Sequence, residues 1–409
     1  MGTEAAASAP SSHSTTSAAA PSPVAESALK LGDRVTVTAT DIAFGGEGVA
    51  RAGEFVLFVP FLLIGETAEV EVVELKKRFG RASLLRLIES SPHRVQPRCP
   101  VFTQCGGCQY QHLDYAEQLR VKQTQVAALV ERVGRFNPSV VRPVVACPAP
   151  YGYRNRIMIR SQWDKTIQAL HVGFLMHESR FVVDIDACPI AEPELSQQIA
   201  RVRANPPPKG GIKVVLRIPP KDWVVPNDSF FQNNFHALPF LVEAVAASIR
   251  ESGCRFLIDA YCGVGFFALE LAHLVDRFIG VEIDGPAVRA ARQNAENRKV
   301  SNGEFRAGRT EQLLPSILTE VDPARSCIIL DPPRTGCDPD ALESIASQRI
   351  HQITYVSCHP ATLARDLRTL CDRGGYELVS ITPIDMFPQT AHVECVAVVR
   401  LPTANAAGK

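Results

Sequence analysis

Between Leu31 and Ser90, apolar and polar residues alternate in short runs separated by glycine-containing turns. The runs RVTVTAT, FVLFVP, AEVEVVEL and ASLLRLIE read as strands, with period two turning one face of each inward. Short strands in a module of this size predict a small OB-type β-barrel over residues 29–90. One hairpin, KKRFGR, carries Lys76, Lys77, Arg78 and Arg81 around a phenylalanine. It reads either as a solvated turn or as a cationic handle for phosphates.

Residues 91–235 have a mixed pattern and are expected to form a central α+β segment. In YRNRIMIRSQW, Arg154, Arg156 and Arg160 fall on alternate positions of a strand-like run. Period two gives them a common face: a phosphate-facing stripe or an edge strand blunted by charge. From residue 236 to 401 the pattern becomes alternating β and α. RFLIDAYCGVGFFALELA is a strand, a glycine turn and a helix. DRFIGVEID precedes the helix PAVRAARQNAENRK, and SCIILDPPR, QITYVSC and HVECVAVVR supply further strands. This alternation predicts a Rossmann-like, mostly parallel sheet with helices on both faces.

Composition narrows the picture. Hydrophobic residues at 46% and charged residues at 21% suit a soluble globular chain. No apolar run reaches the ~18 residues of a membrane span. The first 28 residues are rich in Ala, Ser, Pro and Thr and read as a disordered tail. They show neither the basic nor the apolar region of an export signal, so a cytoplasmic location is expected, with no membrane partner. No feature calls for an obligate protein partner. The formal net charge is zero, so nucleic-acid binding would have to come from local patches. Twelve cysteines without an export signal argue for metal binding or catalysis rather than a disulfide framework.

The candidate chemistry gathers at predicted strand ends. In DAYCGVG, Gly263 and Gly265 let the backbone approach a ligand, and Glu282 ends the next strand, placed to accept from ribose hydroxyls. This short turn, with no third glycine, suits S-adenosylmethionine better than NAD. The later LDPPR, an acidic residue followed by two prolines at a strand end, is typical of methyltransferases acting on planar bases. YVSCHP presents Cys358 at another strand end, and HVEC brings Glu394 to the start of a third strand. A thiol, a carboxylate and a methyl donor are what methylation at carbon 5 of a pyrimidine needs. A thiolate adding at carbon 6 makes carbon 5 nucleophilic, and a base then removes the carbon 5 proton. Cys99, Cys105 and Cys108 crowd into CPVFTQCGGCQY and point to a metal centre, by residue type either zinc or iron–sulfur.

In their joint order, CPVFTQCGGCQYQH, YRNR, DACPI, SFFQNN, DAYCGVG, LDPPR, YVSCHP and HVEC resemble the iron–sulfur-containing RNA 5-methyluridine methyltransferases, from about Leu31 to Leu401. The resemblance implies that Cys358 is the nucleophile and Glu394 the base. It implies cofactor or active-site contacts from Gln232, Tyr261, Glu282 and Asp331, and an RNA-binding TRAM barrel at the N-terminus. It makes Cys188 of DACPI the fourth ligand of a [4Fe–4S] cluster held with Cys99, Cys105 and Cys108. It raises KKRFGR, Arg154 and Arg156 to expected RNA contacts. Cys147, Cys254, Cys262, Cys327, Cys337, Cys371 and Cys395 are left as packing residues. Phe266 stands where many relatives have Asn, and Arg309 where some place an acidic residue, so neither is assigned a cofactor contact. The substrate class implied is RNA, 23S ribosomal RNA first and the tRNA T-loop as the alternative. The non-enzymatic alternative, an RNA-binding or chaperone module, is opposed by the intact Cys358 and Glu394.

Overall fold

A computed structural model describes residues 29–205 and 213–402. The expected tail, residues 1–28, lies outside the described residues. Strands β1 (Arg34–Ile42), β2 (Glu47–Ala52), β3 (Phe55–Pro60), β4 (Thr67–Leu75) and β5 (Phe79–Glu89) close into a barrel. Its interior is Val37, Ala39, Ala50, Leu57, Val59, Val70 and Val72, the inward set of the alternation. The sequence pattern passed over β2, because its inward positions are Gly48 and Ala50 rather than large apolar residues. A side chain at Gly48 would meet the Leu62 carbonyl at 2.4 Å, so only glycine lets the chain pass there. Buried Glu66 fastens the barrel to the linker that follows: Arg94 donates to both carboxylate oxygens, at 2.5 and 2.6 Å, and the Leu63 and Ser91 N–H groups donate as well.

Helix α1 (Tyr115–Arg132) follows. Its N-terminus is capped by the Asp114 carboxylate, which accepts from Glu117 N–H. Its buried face is Gln118, Val121, Lys122, Gln125, Val126 and Val130. The spacing is helical, but Gln118, Lys122 and Gln125 are polar, so hydrophobic periodicity could not find it. Strands β6 (Arg156–Asp164), β7 (Ala169–Leu175), β8 (Val182–Asp184) and β9 (Lys213–Arg217) form an antiparallel sheet ordered β8-β7-β6-β9. Leu195 and Ile199 of α2 (Pro193–Ala204) pack on it.

The C-terminal part is a seven-stranded sheet. In chain order it contains α3 (Leu238–Ser252), β10 (Phe256–Ala260), α4 (Phe266–Leu271), β11 (Arg277–Glu282), α5 (Gly285–Asn297), β12 (Gly303–Ala307) and α6 (Thr310–Ile317). It continues with β13 (Ser326–Leu330), α7 (Pro339–Gln348), β14 (Gln352–Ser357), α8 (Pro360–Gly374), β15 (Glu377–Ile384) and β16 (Glu394–Arg400). The strand order is β12-β11-β10-β13-β14-β16-β15. The first five strands run parallel, and β16 is antiparallel to both of its neighbours. Every residue of β13 and β14 is buried, and β13 accordingly reads as an apolar run from Cys327 to Leu330. Successive residues alternate between faces: Leu257, Phe278 and Ile329 pack under α3, α4 and α5, while Ile258, Ile279 and Ile328 pack under α6, α7 and α8.

Helix α1 joins this second face through Val126 and Val130, although it precedes the sheet by more than a hundred residues. The segment after it runs beside β15, with Arg142 N–H donating to Ile381 O and Val145 N–H to Pro383 O. At the centre of this junction Lys122 meets Asp385 at 2.6 Å, and neither side chain is exposed.

Candidate active site

The site is built where parallel strands end. Strand β10 runs into a turn in which Tyr261, Gly263 and Gly265 all have left-handed backbone, with φ of 66°, 55° and 83°. For Tyr261 that conformation carries strain of the kind concentrated at ligand sites. At Gly265 glycine is also required for space, since a Cβ would meet the Phe305 ring at 2.6 Å. The Glu282 carboxylate lies across the turn, accepting from Gly263 N–H at 3.0 Å and Asp284 N–H at 2.8 Å. Asp331 stands at the end of β13. Burial and the Glu282 charge push its carboxyl up to about 7. Burial, with Asp331 and Glu282 nearby, pushes Asp259 up to about 8 against a hydrogen bond from Ala268 N–H.

Three carboxyls gather at adjoining strand ends, and the Glu282 charge raises both Asp331 and Asp259, so the turn favours a cationic ligand with hydroxyls. Such a donor set fits S-adenosylmethionine, whose sulfonium is positive and whose ribose offers hydroxyl donors. Gln232 is buried, its backbone carbonyl accepting from the Asn155 side-chain amide of YRNR at 3.0 Å. Tyr261 lines a separate cavity of about 680 Å³, shared with Arg309 and Glu311. Phe266 is a core residue, its ring 5.4 Å from both Trp223 and Phe231.

Cys358 and Glu394 come together through strand register. Strand β14 pairs with β16 as far as Ser357 opposite Cys395, and Cys358 and Glu394 flank that last pair, close enough for the Glu394 charge to act on the thiol. Pro360 opens α8, and His359 caps it, its Nδ1 accepting from Thr362 N–H at 3.3 Å. Cys358 is half-buried and Glu394 is 4% exposed. Burial and the Glu394 charge push the Cys358 thiol up to about 11, while Arg334 pulls it down. Burial and Asp331 hold the Glu394 carboxyl well above its usual range, again opposed by Arg334. Arg334 is therefore the cation of the site, and its Nη2 lies 3.3 Å from His392 Nε2. Sequence reasoning assigned no role to Arg334, His359 or His392, although each lies within a motif that carried the resemblance.

Cys99, Cys105, Cys108 and Cys188 line one cavity of about 1020 Å³ with Arg154 and Arg160. Two of the three stripe arginines therefore face this cavity, and Arg156 is not among its lining residues. Burial and the neighbouring thiols push Cys105 up to about 11 and Cys108 up to about 12. Among the described residues, no three His, Cys, Asp or Glu side chains converge closely enough to hold a single metal ion. All twelve cysteines are free thiols. Of the seven left as packing residues, Cys371 is half-buried and the rest are buried.

The expected RNA contacts scatter more widely. Lys76, Lys77 and Arg78 are exposed at the β4–β5 hairpin, and Lys76 pairs with Glu74 at 2.6 Å. Arg81 pairs with Glu47 at 3.1 Å and Glu178 at 3.5 Å. Arg154 Nε donates to Arg156 O at 3.1 Å. Arg156 sits opposite Arg217 in the β6–β9 register, and the Arg156 Nε, buried, has no partner among the described residues.

Residues 212–401 match the tRNA (Uracil-5-)-methyltransferase family and residues 28–85 match the TRAM domain. An uncharacterized RNA methyltransferase of Gloeobacter violaceus is 32% identical over 92% of this chain and 98% of its own length. One from Halalkalibacterium halodurans is 33% identical over 90% of this chain and 97% of its own. The Pyrococcus abyssi tRNA (uracil-54, C5)-methyltransferase, solved with S-adenosyl-L-homocysteine, superposes with a TM-score of 0.69 at 27% identity, covering 90% of this chain and all of that one. A TRAM barrel, a methyltransferase sheet and full-length relatives agree: the chain belongs to the S-adenosylmethionine-dependent RNA (uracil-5-)-methyltransferases.

Proposed function

We propose that Cys358 is the nucleophile and Glu394 the base in methylation of one uridine of a structured RNA. The observation that carries this reading is the end of the β14–β16 pairing, where Cys358 and Glu394 flank the last pair and lie within electrostatic reach of each other, Asp331 and Arg334. S-adenosylmethionine, when bound, supplies an electrophilic methyl group. The Cys358 thiolate adds to carbon 6 of the uracil, and carbon 5 takes the methyl group. Glu394 then removes the carbon 5 proton, the carbon 5–carbon 6 double bond re-forms, and the thiolate leaves. Gln232, Tyr261, Gly263, Gly265, Glu282 and Asp331 hold the methyl donor. Lys76, Lys77, Arg78 and Arg81, with Arg154 and Arg156, are assigned to phosphate.

The thiol must lose its proton before it attacks. Adduct formation should therefore rise with pH from 6 to 9 without levelling at the ~8.5 of an ordinary cysteine. Arg334→Gln removes the one cation that lowers the thiol, so the profile should move to still higher pH. An unmoved profile would exclude Arg334 from thiol activation.

The first substrate reading is 23S ribosomal RNA, from the TRAM barrel together with the four cysteines proposed to hold a cluster. The tRNA reading is favoured by the Pyrococcus abyssi neighbour, named for uracil-54 of tRNA. Mapping 5-methyluridine in ribosomal and transfer RNA from cells lacking the gene decides between them. Loss of one ribosomal site supports the first, loss of the T-loop site supports the second, and no lost site rejects both.

Cys99, Cys105, Cys108 and Cys188 are proposed as ligands of a [4Fe–4S] cluster. Their common cavity supports it, because four thiolates lining one space suit a cluster that binds sulfur at each corner. Anaerobically purified protein should be brown, with about four irons and four acid-labile sulfides per chain. Stoichiometric zinc without sulfide would overturn the assignment.

A further inference from the structure

Phe44 lies in the loop between β1 and β2, and its position is not explained by the barrel, whose core is complete without it. It reaches the catalytic part of the chain instead. Its ring sits edge-on to His359, with centroids 5.5 Å apart and planes at 82°. His359 is the residue after Cys358 and the cap of α8.

The loop is fixed there from two sides. From α1, the buried Gln125 amide donates to Ile42 O at 3.0 Å and to Ala43 O at 2.9 Å. On the other side, Gly46, at φ 100°, packs so closely on Gln109 that a Cβ would come within 2.7 Å of the Gln109 Cβ. The Gln109 side chain in turn accepts from Ala391 N–H at 3.2 Å, beside His392. Barrel loop, α1 and the segment leading to Glu394 are thereby held in one register. Phe44 is half-buried, and the His359 it meets feels the Arg334 charge, which ties the loop to the catalytic end of the sheet.

Chemistry on a base inside a folded RNA requires that base to leave its stack, which deprives its neighbours of a stacking partner. An aromatic face fixed at the mouth of the site replaces that partner, and it does so for any base. We propose that Phe44 positions the substrate by stacking on a base that flanks the target uridine, so that the barrel registers the RNA against Cys358. The inference rests on the methyltransferase mechanism proposed above.

The test compares Phe44→Ala, Phe44→Leu and Phe44→Tyr in the full-length protein. Total RNA from cells lacking the gene serves as acceptor, with labelled S-adenosylmethionine, and affinity for S-adenosylmethionine is measured separately. Loss of one stacked base should lower kcat/KM for RNA by about 10-fold to 100-fold in Phe44→Ala and Phe44→Leu, with Phe44→Tyr within about threefold of the parent. Affinity for S-adenosylmethionine should not change in any of them. Leucine fills the space against His359 but offers no π face. Recovery in Phe44→Leu equal to that in Phe44→Tyr would mean packing alone, and overturn the proposal. Parent-like activity in Phe44→Ala would also overturn it. A parent enzyme that places no methyl on uridine would instead overturn the mechanism on which the proposal rests.

Discussion

Glu394→Gln should trap the RNA on the enzyme. The amide cannot take the carbon 5 proton, yet it leaves addition by Cys358 and methyl transfer intact. The cysteine cannot leave while carbon 5 keeps that proton, so a methylated covalent adduct should accumulate. A general base contributes about 10²–10⁴ in rate, enough to make breakdown of the adduct the slow step. Denaturing electrophoresis with RNA and labelled S-adenosylmethionine should show a slow protein–RNA band for Glu394→Gln. Cys358→Ala should show no band and no methylated RNA. The two residues flank the last pair of the β14–β16 ladder, but they fail at different steps. A band that survives loss of Cys358 would assign the nucleophile elsewhere.

The largest effect on stability is expected at Lys122. Its ammonium is fully buried, with Asp385 at 2.6 Å and the Phe387 carbonyl at 3.1 Å. Asp385 also donates its N–H to Val145 O, so the pair joins α1, the strand-like segment after it, and the loop leading to Glu394. Lys122→Ala leaves an uncompensated carboxylate in a dry site and should cost about 3–5 kcal/mol. Replacing both partners, Lys122→Met with Asp385→Leu, should recover most of that, because apolar groups of similar size need no counter-charge. Urea unfolding followed by Trp223, which packs on the C-terminal core, with Trp163→Phe as background, reads both. A shift below about 1 kcal/mol for Lys122→Ala would show that the carboxylate finds water or another partner.

The same pair explains what could be read from the sequence. Strands β10, β11, β13, β14 and β16 were legible because they are buried on both faces and rich in apolar and β-branched residues. Barrel strands β1, β3, β4 and β5 were legible from alternation. Helix α1 was not, since half of its buried face is Gln118, Lys122 and Gln125, whose partners lie far along the chain. Strand β12 was missed because its five residues hold a single buried one, Phe305, and β15 because a proline and a register shift interrupt it. At the site, Cys358, Glu394, Asp331 and Glu282 stood out because each ends or begins a recognisable strand. Arg334 and His392 acquire meaning only when two loops meet at 3.3 Å, and Phe44 only when the barrel docks. Local pattern does not encode contacts of that range.

The central claim is chemical: the methyl group goes to carbon 5 of uridine and displaces its proton, through Cys358 and Glu394. RNA labelled with tritium at uridine carbon 5, made in cells lacking the gene, tests it directly. With the parent enzyme and S-adenosylmethionine, tritium released to water should equal methyl incorporated into RNA. Cys358→Ala should do neither, and Glu394→Gln should add methyl while the tritium stays in the RNA. Methyl incorporation by the parent enzyme without tritium release would place the methyl on another atom and contradict the account.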